Sequence, residues 1–571
     1  HIFEVFGHAF RAAPEGLGLG FPGAAMVPRP ASPRRVPRPE TSRNPDGGTR
    51  VAPGSAGSRV SATSMELHLD PELLRGVPLQ VCFEGFGRHW RRAAQKDQTK
   101  LYEKSVKTEA IEYFFSHDWS TSRLRKFVVL LIFFNSKPAF IASLVVSLVM
   151  SIVATCTVGP YVFWTTLPGY VTFYAVLIFW QPLRSILMRS PLVFLDKICI
   201  AQSDKDLKMQ GILGIGAFLN ASRHLVVLWS PNFIQRLWCT FELATFLHLG
   251  GTDRQVELFP VMVGELLCCY TVFAHSVTLF YQFLLCVVEE METGDPESRW
   301  TQLLIVVSIL TPFAYVLQCI LFYFGIELVQ ELKDLPRQLR SFRVRDANCA
   351  CCTHDHCDPQ TGEEIPCDRE QIFMTLRSLL DDPEDNEQPE NYLDHFDVMV
   401  QEGLSPQVLK KLGHTRMPFD YLVYMVASAT MQSLTISVPN MIQGVSAGTY
   451  SALRWFSDLM GLNILIFVAA GLECHLWQAG AYILSKCPWC ICRCFIIGVL
   501  PVCQLSLVLL LYSPYQISFI YTDVKSGLPM IPAVLLMLLI IALFWPSWFK
   551  WRLRKMVTSR SPVKEGHGAF F

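Results

Sequence analysis

Charge is scarce in this chain. Asp, Glu, Lys and Arg make up 17% of 571 residues and cancel to a formal net charge of zero. A bulk nucleic-acid or polyanion binder needs an excess of one sign, so that class is excluded. A glycine-rich phosphate loop is also missing: Gly211-x-x-Gly214-x-Gly216 falls inside a predicted helix instead of opening one after a strand. No charged, apolar and small-residue stretches follow one another near the start, so no secretory signal is read. The first residue is His1, and the sequence is expected to begin as a fragment or within translated upstream residues. An Arg-rich sensor helix and an inverted repeat are both lacking, which weighs against a voltage sensor or a repeat-built transporter.

Apolar residues are plentiful, at 51%, a membrane-protein balance. Runs near 20 residues, the length a helix needs to cross a bilayer, occur at Ala139–Val158, Tyr161–Trp180, Glu265–Val288, Trp300–Ile326, Phe419–Met441, Asp458–Leu476, Cys494–Leu511 and Met530–Phe549. About eight spans are therefore expected. The fifth and sixth are the weakest, with Asp420, Asp458, Glu473 and His475 near their ends. Phe127–Phe134 is short and cut off by Pro138, so it reads as an interfacial lead-in. Lys and Arg cluster at Arg123–Lys126, Arg184, Arg189 and Lys550–Lys555, whereas Glu289–Arg299 is acidic. The positive-inside bias places both termini and the segments 184–264 and 327–418 in the cytosol. The single Asn-x-Ser/Thr sequon, at Asn220, then stays unmodified. Residues 1–64, rich in Pro, Gly, Arg and Ser, cannot bury a core and are expected to be disordered.

A soluble pattern interrupts the spans. Short apolar runs at Ala110–Phe115, Leu192–Leu195, His224–Trp229 and Val256–Val261 read as strands. Leu207–Asn220 and Leu237–His248 read as helices. Strand and helix alternate, which predicts a parallel, doubly wound sheet. Ligands of such sheets bind beyond the strands' carboxyl ends. The first strand leads into the lead-in and the fourth almost directly into the third span, so that edge is expected to lie against the bilayer. His117 and Asp118 are adjacent and should point apart on a strand.

Three motifs carry a resemblance. Ser116-His117-Asp118-Trp119 follows the first strand, Val193-Phe-Leu-Asp196-Lys the second, and Val226–Leu243 joins Ser230-Pro to Trp238-Cys-x-x-Glu242-Leu. Together they resemble the TIR (Toll/interleukin-1 receptor) domain, embedded in a multi-pass chain similar to polytopic TIR-like proteins of protists. The resemblance covers about a quarter of the sequence. It implies a flavodoxin-like α/β unit and signalling by self-association, hence a possible homo-oligomer. Some family members cleave NAD at the nicotinamide–ribose bond with a Glu at the position of Glu242. Ser116, His117, Asp118, Asp196, Ser230 and Trp238 are then the residues to line an NAD site. A carboxylate there stabilises positive charge on the ribose as nicotinamide leaves. The plainer alternative is that Glu242 sits in a helix first turn, where the macrodipole favours it. The chain departs from the family pattern: a membrane hairpin stands in place of the first helix, and a fifth strand is not evident.

Two cysteine groups stand out. Cys349, Cys351, Cys352, His354, His356, Cys357 and Cys367 crowd one segment. In reducing cytosol, disulfides are disfavoured and zinc suits such ligands, although the spacing matches no standard finger and reduced loop cysteines are the alternative. Asp368 follows as a helix cap, with Ile372, Phe373, Leu376, Leu379 and Leu380 as an apolar stripe for docking on the soluble unit. Cys487, Cys490, Cys492 and Cys494 lie beside a span end and are candidates for palmitoylation, with a metal or redox pair as the alternative.

The expected organisation is 1–64 disordered, 65–126 carrying the first TIR-like strand, 127–183 a transmembrane hairpin and 184–264 the rest of the TIR-like unit. Then come 265–326, a second hairpin; 327–418, Cys/His-rich and acidic; 419–549, a transmembrane bundle; and 550–571, a basic tail. Membrane signalling with NAD cleavage, a non-catalytic scaffold, and a channel or transporter all remain open.

Overall fold

The computed structural model describes residues 69–539, apart from 92–94, 157–161, 251–253, 290–295, 358–361, 363, 381–390, 405, 407, 409–423, 429–436, 446–447, 449–451, 488, 523–525 and 527. The start expected to be disordered, the expected basic tail, the acidic run Asp381–Glu390, most of the expected fifth span and half of the expected eighth lie outside the described residues.

Six strands form one mixed sheet: β1 (Arg75–Pro78), β2 (Val106–Lys107), β3 (Ile111–His117), β4 (Leu192–Phe194), β5 (Ser222–Trp229) and β6 (Gln255–Pro260). Their order is β2-β1-β4-β3-β5-β6. The last four are parallel neighbours, as the alternation predicts. β1 and β2 are antiparallel and correct the all-parallel expectation. They are too short to show alternation in sequence. β3 and β5 are buried on both faces, which is why they read as unbroken apolar runs. β3 also continues two residues past the expected end, so that Ser116 pairs with Val227 and His117 with Leu228.

The principal helices are α1 (Arg123–Cys156), α2 (Val162–Leu187), α3 (Lys205–Leu213), α4 (Ile215–Asn220), α5 (Leu237–Leu249), α6 (Val261–Glu289), α7 (Pro296–Arg340), α8 (Asp368–Leu380), α9 (Ala452–Lys486) and α10 (Cys490–Tyr521). Six of them, α1, α2, α6, α7, α9 and α10, are long and apolar enough to cross a membrane. The expected helix Leu207–Asn220 is broken at Gly214, where a Cβ would stand 2.5 Å from a Leu69 methyl. Helices cover both faces of the sheet. On one, Phe134 of α1 meets the rings of Tyr113 and Phe115. On the other, Phe114 stacks on Phe194, which packs on Phe218 of α4.

The direction of α1 overturns two expectations. Phe127–Phe134 is not an interfacial lead-in, since Val129, Leu130 and Ile132 are core residues and α1 runs unbroken through Pro138. The chain turns back after β3: Lys126 lies over Trp119 beyond the strand end, and Phe134 has already reached the level of Tyr113. α1 therefore crosses the sheet from its carboxyl edge to its amino edge before its exposed apolar residues begin at Ile141. α6 makes the same reversal directly after Pro260. Arg125 on α1 pairs with Glu265 on α6 at 2.5 and 2.8 Å. Gly264 lets the helices touch, because a Cβ there would stand 2.9 Å from the Val129 Cα. The apolar bundle consequently leaves from the amino edge, and the carboxyl edge points away from it. Helix α7 likewise passes the expected boundary at 326/327 without a break, burying Leu328, Leu332, Leu335 and Leu339 alongside.

Candidate functional site

The carboxyl edge gathers residues from β3, β4, β5 and α5. Ser116 and Glu242, 126 positions apart, share a hydrogen bond of 2.6 Å between Ser116 Oγ and Glu242 Oε2. Ser116 is fully buried, whereas Glu242 keeps partial contact with solvent. Burial pushes the Glu242 carboxyl up from 4.5 to about 8, the Ser116 hydroxyl opposes that rise, and the nearby Asp196 adds to it. Glu242 does not occupy the first turn of α5, which holds no acidic residue. The macrodipole explanation therefore fails, because that effect fades within one turn.

Trp119 occupies the centre of this edge. Its indole N–H donates to Asp196 Oδ2 at 3.0 Å. The Nζ atoms of Lys126 and Lys197 stand 4.8 and 5.4 Å from its ring centre. His117 meets it edge-on, and Trp90 makes a second edge-on contact with the imidazole. Burial drives the His117 pKa well down, with Lys126 next in effect, so the ring is neutral. Asp118 is 1% exposed, accepts from the Ser120 amide at 3.0 Å and faces Arg236 Nε at 3.7 Å. Asp118 lies one residue beyond the end of β3, so the expectation of two adjacent strand positions does not apply to it, and Arg236 and Lys126 act on both His117 and Asp118. Burial raises the Asp196 carboxyl, against the opposing Lys197 amide and Trp119 indole.

Of the residues expected here, Ser116, His117, Asp118, Asp196 and Glu242 converge. Ser230 closes β5 with a buried hydroxyl. Trp238 turns elsewhere: its indole donates to Asp368 Oδ2 at 3.0 Å. Cys239 packs, with Sγ 3.5 Å from the His117 carbonyl, and burial raises its thiol well above the usual value. Sequence reasoning missed Trp90, Lys126, Lys197 and Arg236. Arg123–Lys126 carried a signal for a membrane flank only, and Trp90 comes from a segment without a pattern.

The second candidate lies alongside. Cys351, Cys352, His356 and Cys367 bring their ligand atoms within 4.8 Å of one another, as do Cys349, Cys351 and Asp368. His354 and Cys357 are exposed and outside both groups. α8 docks as expected, burying Ile372 and Leu376, and Gln371 Nε2 reaches Met209 Sδ at 3.3 Å. At the turn between α9 and α10, Cys487 and Cys492 face each other at 2.6 Å, while Cys490 and Cys494 are exposed. Arg493 pairs with Glu327 there. Glu473, expected near a span end, instead sits inside the bundle, 1% exposed and 3.4 Å from Gln504 Nε2. No protein-family model, curated protein or solved structure matches this chain.

Proposed function

We propose that this protein is a multi-pass membrane protein presenting a TIR-like, flavodoxin-like α/β unit to the cytosol, and that the unit works in signalling assembly and cleaves NAD at the nicotinamide–ribose bond. One observation carries the reading: Ser116, Asp196 and Glu242 meet at the carboxyl edge of the four parallel strands, and that edge points away from the apolar bundle. Entry of a dinucleotide is then unobstructed by the bilayer, and the edge is where such sheets bind ligands. Ionised Glu242 would face the ribose and stabilise the cation that forms as the C–N bond breaks. The Ser116 hydroxyl orients that carboxylate. Arg236, more accessible than Lys126 and Lys197, is the group a pyrophosphate can reach. The basic residues Arg184 and Arg189, at the end of α2, support a cytosolic placement.

The test is nicotinamide release by the full chain in lipid nanodiscs supplied with NAD. Wild type should release nicotinamide and Glu242→Ala should lose at least tenfold of the rate. Equal rates, or none from wild type, defeat the catalytic reading. A second reading, assembly without catalysis, draws on the bond that ties a neutral Glu242 to Ser116 near neutral pH. It predicts concentration-dependent clustering with NAD left intact. Transport draws only on buried Glu473, and vesicle conductance that Glu473→Gln abolishes would favour it.

A further inference from the structure

We infer that Cys351, Cys352, His356 and Cys367 hold one zinc ion, and that this ion clamps the entrance of helix α5. The inference stands apart from NAD chemistry. A zinc ion with Zn–S bonds of about 2.3 Å in a tetrahedron separates its sulfurs by about 3.8 Å. Cys351 and Cys352 Sγ lie 3.8 Å apart, and Cys352 and Cys367 Sγ 3.7 Å. His356 completes the set, and its Nε2 is buried with no hydrogen-bond partner among the described residues. Its backbone is held in an unusual state for this purpose: Asp355 and His356 have φ of 49° and 58°, a left-handed pair that costs free energy unless something fixes it. The Cys357–Glu364 bridge and the Ile365 N–H to His356 O bond at 2.8 Å close the loop and bring Cys367 back. Outer contacts also suit a thiolate-rich ion. The Asp368 amide points at Cys351 Sγ at 3.3 Å. The Arg369 guanidinium, held on the Arg345 and Ala347 carbonyls at 2.6 Å each, lies beside Cys352.

Both ends of this segment grip α5. Asn348 exchanges backbone hydrogen bonds with Gln235 at 2.6 Å and Leu237 at 3.1 Å. Asp368, next to ligand Cys367, accepts a hydrogen bond from the Trp238 indole N–H. Residues 235–238 lead from Arg236, at the carboxyl edge, to the helix bearing Glu242. The ion therefore fixes one wall of the candidate site.

The test uses the full chain in detergent, dialysed against a weak chelator, with metal measured by mass spectrometry. One zinc per chain is expected. Cys352→Ser and Cys367→Ser should lose it, while Cys349→Ser and His354→Ala keep it. Cobalt exchanged into wild type should give the charge-transfer and tetrahedral bands of a sulfur-rich site, a readout that needs no variant to fold. Stripping zinc from wild type should raise amide exchange across residues 230–240 at least tenfold, and zinc re-addition should restore protection. Wild type without stoichiometric zinc, loss of zinc in Cys349→Ser, retention in a folded Cys352→Ser, or unchanged exchange would each overturn the inference.

Discussion

Replacing Glu242 by Gln should stabilise the protein relative to wild type, by a margin that grows as pH rises. The folded chain holds the Glu242 proton up to about 8, whereas an unfolded chain releases it near 4.5. Across that window the unfolded state binds fewer protons, so wild-type stability falls with rising pH, and the loss is complete above the folded value. At about 1.4 kcal/mol per tenfold change in proton affinity, the gap sets a ceiling of about 5 kcal/mol. Partial solvent contact relieves part of the burial cost, so about 2–3 kcal/mol is the working figure. Gln keeps a partner for Ser116 Oγ, which sits 2.6 Å away, yet cannot ionise. Wild type and Glu242→Gln should therefore melt together at pH 5 and diverge by about 5–10 °C at pH 8.5, taking the scaling for a cooperative unit of about 200 residues. Tryptophan-fluorescence melts of both proteins in one detergent, from pH 5 to 9, supply the comparison. Parallel curves would refute the reasoning, because any other titrating group acts equally in both proteins. The same ionisation links stability to chemistry: if the carboxylate is the working form, nicotinamide release should rise with pH through about 8.

Other perturbations probe neighbouring features. Lys126→Ala removes a buried cation that acts on both Asp118 and Asp196, and thermal unfolding should register a loss of about 3 kcal/mol; a cost under about 0.5 kcal/mol would show that Lys126 is not a counter-charge to them. Gly264→Ala forces a methyl group onto the Val129 backbone and should cost about 2–3 kcal/mol by the same assay, with an unchanged melt counting against the close helix contact. Acyl-exchange labelling of protein from cells should report on Cys490 and Cys494, which are exposed, and not on the facing pair Cys487 and Cys492; the reverse pattern would contradict this assignment.

Much of the candidate site was legible before its geometry was known. Ser116, Asp196 and Glu242 stand in the motifs that carry the TIR resemblance, and the structure brings these three together. Lys126 and Trp90 were not legible. A lysine beside an apolar run looks like a membrane flank, and only contact with Trp119 gives it another setting. Trp238 misled for the opposite reason: its place in the motif is local, but the partner that turns its indole, Asp368, lies 130 positions away. The cysteine segment offered seven ligand candidates, and two consecutive left-handed residues decided which histidine joined the cluster.

The sequence by itself determined the strands β3 to β6 and the apolar centres of the six long helices, though not where α1 begins or α7 ends, because burial imprints a period or an unbroken run on neighbouring residues. Only the tertiary structure decided which way the sheet faces. That depends on α1 and α6 folding back from the carboxyl edge, and on a glycine meeting a distant valine backbone. Such reversals hinge on contacts between segments far apart in the chain, which leave no periodic trace. Where they send the apolar helices determines whether Glu242 opens toward the apolar bundle or away from it.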